Sequence, residues 1–210
     1  MTWPGGGGPE GPGAGQSPDR LEAFSDGVMA VIITIMALEL KAPVAGTFHA
    51  LGARLPALLV YILSFSFVGI YWNNHHHLLR STPRIGGAVM WANLHLLFWL
   101  SLIPVLTEWV GADYRDHLPA SVYGIAAFLA AVAYWILVRT IIGVNGADSE
   151  VARRIGRDFK GAISLVIYAV GVGAAWISPW IAYGAYAAVS VMWFVPDRRL
   201  GPAGPSAASG

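Results

Sequence analysis

PDRLEAFSDGVMAVIITIMALEL, residues 18–40, decides the fold. It opens with the chemistry of a helix start. Ser17 suits the N-cap, Pro18 the first helical position, and Asp19 and Glu22 lie in the first turn. No charge follows between Gly27 and Leu38, and Lys41-Ala42-Pro43 stops the run. Crossing a bilayer core takes about 20 apolar residues, so this stretch reads as a membrane-spanning helix.

Five further stretches read the same way, over about 50–74, 87–110, 119–142, 159–177 and 179–194. Pro56 lies near the start of the second and Pro104 inside the third, while Ser178-Pro179 divides the last two into a tight hairpin. The composition agrees. Of 210 residues, 56% are hydrophobic and only 12% are charged, with mean hydropathy +0.57. An ordinary soluble domain carries about 25% charged residues. Soluble enzymes are therefore excluded, and six spans leave no space for a separate catalytic domain. The expected fold is an all-α integral membrane protein of six transmembrane helices, occupying 18–196.

Residues 1–17 are rich in Gly and Pro and lack a basic segment before an apolar core. They read as a disordered leader, not a signal peptide, and 197–210 as a disordered tail. A net charge of +1 gives no reason to expect nucleic acid as a partner, and the absence of Cys removes thiolate chemistry. With the N-terminus inside, the inner segments hold Arg20, Arg80, Arg84, Arg139, Arg153, Arg154, Arg157, Lys160, Arg198 and Arg199. The outer ones hold only Lys41, Arg54 and Arg115. Ten basic residues against three follow the positive-inside pattern. This places both termini in the cytoplasm of a multi-pass cell-membrane protein.

Polar groups are costly in hydrocarbon and mark function or packing. They are concentrated in the first three spans, which carry Ser25, Asp26, Thr34, Asn74, His75, His76, His77, Asn93, His95, Ser101 and Thr107. The last three spans are almost wholly apolar. Function is expected in the first half, with the second half as scaffold. Gly171, Gly173, Ala174 and Ala175 have the spacing of helix-packing residues.

Three motifs in the first half carry a resemblance. Arg20, Phe24, Ser25 and Asp26 form an R-x-x-x-F-S-D pattern. Trp72-Asn73-Asn74-His75-His76 fits W-x-N-H-H, and Asn93-Leu94 is followed by Ser101-Leu102-Ile103-Pro104 and Thr107. In this order, on spans of this size, they resemble the TMEM175 family of potassium-permeable channels in its bacterial single-repeat form. The resemblance implies a homotetramer of six-helix subunits conducting potassium, with no cofactor. The first helices would line the pore, and bulky side chains there would form the constriction. Carried onto this chain, those positions are Val31, Thr34 and Leu38, with Ile35 beside them. No TVGYG filter is present.

Helix geometry gives the same stripe. At about 100° per residue, Val31, Thr34, Ile35 and Leu38 fall within about 100° of one another, and Gly27 joins them a turn earlier. Asp26 falls more than about 100° away, so it is expected to face neighbouring helices and bond across to the Trp72–His76 segment. Thr34 could bond its own helix carbonyl or form a polar ring between two apolar ones. Consecutive histidines point to different faces, so His75–His77 are expected to serve a structural network and hold no metal. The alternative function is a secondary transporter of a small cation or proton. It would require broken helices around a charged midplane site, and the midplanes here hold Thr34 and His95 but no acid.

Overall fold

A computed structural model describes residues 18–155 and 159–194. The leader 1–17 with Ser17, and the tail 197–210, lie outside the described residues. The elements are α1 (Pro18–Leu38), α2 (Phe48–Gly52), α3 (Leu55–Arg80), α4 (Gly87–Ser101), α5 (Ile103–Ala112), α6 (His117–Asn145), α7 (Glu150–Ile155), α8 (Phe159–Ala175) and α9 (Pro179–Phe194). Every described element is helical. Four stretches are long and apolar enough to cross a membrane: α1, α3, α4 with α5, and α6. At 17 and 16 residues, α8 and α9 are about 26 and 24 Å long, short of the 30 Å hydrocarbon core.

The boundaries differ from the sequence reading where proline and polar residues act. The second span was expected over 50–74. Pro56 instead sits in the first turn of α3, where its missing N–H costs nothing. A separate short helix, α2, precedes it, capped by Thr47, whose hydroxyl accepts the Ala50 N–H at 3.2 Å. α3 also runs on through all three histidines to Arg80. The third span is broken at Leu102, because Pro104 cannot donate to the Leu100 carbonyl and its ring crowds the preceding turn. α7 has no counterpart in the sequence reading.

α1 buries one face, Leu21, Ser25, Met29, Ile32 and Met36, against α3, α4 and α5. The repeat of three and four residues is the helical period. α6 is the central scaffold, touching α4, α5, α8 and α9. Its buried side is built from Ala120, Gly124, Ala127, Ala130 and Ala133, small residues that let neighbours approach closely.

Tyr186 of α9 lies across Gly124 of α6 and Gly171 of α8, and its hydroxyl donates to the Ala120 carbonyl at 3.1 Å. A Cβ on Gly124 would overlap the Tyr186 hydroxyl, and one on Gly171 would meet its ring at 2.6 Å. Gly124→Ala must therefore displace a buried tyrosine, at a cost of about 1–3 kcal/mol. Its thermal midpoint in detergent is expected to fall. Gly173→Ala, whose Cβ meets nothing within 4 Å, is expected to unfold like the wild type. Equal midpoints for the two variants would refute this packing argument.

Candidate functional site

The face of α1 opposite its buried stripe carries Val31, Thr34, Ile35 and Leu38, and all four are exposed. Leu38 is 82% exposed and Val31 55%. Phe24 and Gly27 extend this face towards the start of the helix. Thr34 Oγ1 donates to the Val31 carbonyl at 2.9 Å. That bond consumes the hydroxyl hydrogen and leaves the oxygen lone pairs free to accept. Beyond the stripe, Lys41 Nζ lies 3.6 Å from Glu108 Oε1, an exposed pair joining the end of α1 to α5. Glu39 is exposed.

Two polar assemblies hold the other face of α1. The first is a hydrogen-bonded chain across three helices. Ser25 Oγ donates to the Leu21 carbonyl at 2.8 Å, Asn93 Nδ2 donates to Ser25 Oγ at 2.9 Å, and His75 Nε2 lies 2.7 Å from Asn93 Oδ1. With the Asn93 oxygen as acceptor, the proton sits on His75 Nε2. Ser25, His75 and Asn93 are each 0% exposed. Beside this chain, Glu22 faces the end of α3. His76 Nδ1 is 2.7 Å and Arg80 Nε 3.5 Å from Glu22 Oε1. The His76 contact is a close approach without an aligned hydrogen bond. Trp72 stacks on the His76 ring with centroids 5.7 Å apart.

The second assembly lies further along α1. Thr107 Oγ1 sits 2.7 Å from both the Ile103 carbonyl and Ser64 Oγ, and Ser64 Oγ is 3.0 Å from the Tyr123 hydroxyl. Met36 Sδ closes it from α1 at 3.8 Å. This assembly ties α3, α5 and α6 together and seats α1 on them.

The family described as "Endosomal/lysosomal potassium channel TMEM175" matches residues 20–104. A potassium channel of Chryseobacterium sp. is 48% identical over 181 residues, covering 86% of this chain and 94% of that protein. The chain belongs to the TMEM175 family. A potassium channel of Streptomyces collinus is 33% identical, covering 83% of this chain and 90% of its own. The crystal structure of a lysosomal potassium-selective TMEM175 homolog from Chamaesiphon minutus superposes with a TM-score of 0.73 at 25% identity. It covers 84% of this chain and 96% of that one.

Within this TMEM175 chain the three motifs do not act as one unit. Ser25, His75 and Asn93 are joined directly, and Trp72 with His76 flanks them. Asp26 does not make the expected bond to the Trp72–His76 segment. Its Oδ1 is buried and without a hydrogen-bond partner. Ser25 and Glu22 make the cross-helix contacts instead, because both also lie on the α1 face turned to α3 and α4. Arg20 and Phe24 are exposed, and Asn74 is half-buried. Ser101 donates only to its own helix, at the Phe98 carbonyl, 2.8 Å away. Pro104 sets the α4–α5 break, and Thr107 belongs to the second assembly. Glu22, Arg80, Ser64 and Tyr123 were missed. Only Glu22 carried a signal: it stands one turn before Asp26 on the same face.

Proposed function

We propose that the chain is a subunit of a homotetrameric potassium channel in the cell membrane, with both termini in the cytoplasm and the first helices lining the pore. The observation that carries this reading is the division of α1 into two faces. One is buried with an internal Ser25 anchor, and the other offers Phe24, Val31, Ile35 and Leu38 uncovered. Close relatives over nearly the whole chain are potassium channels, which supports the choice of ion. Four copies turning the exposed stripe inward would make apolar rings at Val31, Ile35 and Leu38. Such rings disfavour water and raise the barrier to hydrated ions, so opening requires the α1 helices to separate. Purified protein in liposomes tests the function. Potassium efflux down its gradient is expected from this chain alone, in conducting events of many ions. Flux bound one-for-one to a counter-ion would favour the transporter.

Thr34 places the one polar ring between Val31 and Leu38. Its hydrogen is committed to the Val31 carbonyl, so the oxygen would face a cation as a neutral acceptor. Weak neutral oxygens favour the ion that sheds water more readily, potassium over sodium. Thr34→Val keeps the shape and removes the oxygen. The permeability ratio of potassium to sodium, read from reversal potentials under mixed gradients, is expected to fall. An unchanged ratio would assign selectivity to the apolar rings alone.

A further inference from the structure

Glu22 and Asp26 stand four residues apart on α1, so their carboxylates project from one face a turn apart. His76 of α3 meets them. One ligand atom from each of the three lies within 4.8 Å of the other two. Two observations separate this cluster from solvated surface acids. Asp26 Oδ1 is buried yet has no hydrogen-bond partner, a rare state for a carboxylate oxygen. His76 Nδ1 is also buried without an aligned bond, although Glu22 Oε1 is 2.7 Å away. The imidazole is held in place by the Trp72 ring stacked on one side and the His77 ring edge-on at 5.7 Å. Its neighbour His75 is not part of the cluster: its Nε2 is engaged with Asn93, and its Nδ1 is buried without a hydrogen-bond partner.

We propose that Glu22, Asp26 and His76 form a binding site for a divalent transition-metal cation of the zinc class, one per subunit, joining the start of α1 to the end of α3. Two carboxylates supply the two negative charges such an ion needs. One imidazole nitrogen with two oxygens is a donor set these ions accept, leaving a fourth position for water. Magnesium and calcium take oxygen donors, so the imidazole disfavours them. Metal–ligand bonds of about 2.0–2.2 Å put tetrahedral ligand atoms about 3.3 Å apart, a closure that side-chain rotation from the present spacing provides. Arg80 is the competitor, with Nε 3.5 Å from Glu22 Oε1. Its side chain is 68% exposed, so water receives the guanidinium when the metal displaces it. The site lies on the far side of α1 from the Val31–Leu38 stripe, outside the proposed ion path.

Cobalt(II) titration of the untagged, purified protein tests this without measuring flux, so its outcome is separate from that of the channel reading. Expected are visible cobalt absorption bands saturating at one ion per subunit, removed by zinc. Asp26→Asn and His76→Gln are each expected to weaken binding about tenfold or more. His49→Gln, at an exposed histidine on α2 outside the cluster, is expected to bind as the wild type does. Should His76→Gln lose its monodisperse elution, Glu22→Gln replaces it. No cobalt bands in the wild type would overturn the proposal. So would bands that persist in Asp26→Asn, or that vanish equally in His49→Gln, since both mean adventitious surface histidines.

Discussion

Leu38→Trp is expected to reduce potassium flux in liposomes to the level of protein-free vesicles. Leu38 ends the α1 stripe and is among the most exposed large apolar side chains of the subunit. Nothing in its own chain therefore needs to move to admit an indole, and folding should be spared. In a tetramer with α1 innermost, four indoles meet at one level and fill the path. Leu38→Ser should act in the opposite sense. Four small hydroxyl-bearing groups widen and wet the same ring, lowering the barrier that apolar walls impose. Flux is then expected to exceed that of the wild type. Val166→Trp provides the comparison: Val166 is also exposed and apolar, but lies on α8, away from α1. Its flux is expected to be unchanged. If Leu38→Trp conducts normally while eluting as the same oligomer, α1 does not line the pore.

That stripe was legible in the sequence because only rotation along one helix is needed to find it. Val31, Thr34, Ile35 and Leu38 are fixed by the 3.6-residue period, and the structure leaves them uncovered. The break at Leu102 was not read from the sequence, which ran the third span unbroken over 87–110, although Pro104 within that span is its cause. Contacts between helices were less legible. Glu22, Ser25 and Asp26 lie within about 100° of rotation, so all three qualify for facing α3 and α4. Which one reaches a partner depends on interhelical distance and side-chain length. Serine, the shortest, reaches the Asn93 amide where the helices approach closely. The longer Glu22 spans to His76 and Arg80 nearer the end of α3. The end of α3 was misplaced because the five consecutive polar residues Asn73–His77 look like an exit from the membrane. The helix continues because His75 and His76 find partners on α4 and α1, so their polarity does not need bulk water.

Asn93→Ala is expected to be the most damaging change in the first half of the chain. The Asn93 amide serves two helices at once, its oxygen facing His75 Nε2 and its nitrogen donating to Ser25 Oγ. Its removal leaves the His75 N–H with no acceptor and Ser25 with one donor fewer, in a region with no exposure to solvent. A buried polar group left unpaired costs about 1–3 kcal/mol, and truncation opens a cavity besides. Ser25→Ala removes one end of the chain instead of its centre. The His75–Asn93 pair survives, and only the Asn93 Nδ2 loses its partner. Hydrogen bonds between membrane helices have measured couplings of about 0.6 kcal/mol, reaching about 1.7. The Ser25–Asn93 coupling from a double-mutant cycle is expected in that range. The loss in Asn93→Ala should exceed it, because that change strands the His75 N–H as well as deleting the bond to Ser25. Thermal midpoints in detergent and the oligomer fraction on size exclusion read both quantities. Asn93→Ala should give the larger drop and a loss of assembled protein, since α1 is no longer pinned to α3 and α4 at its start. Equal midpoints for Ser25→Ala and Asn93→Ala would mean that the bridge to His75 contributes nothing.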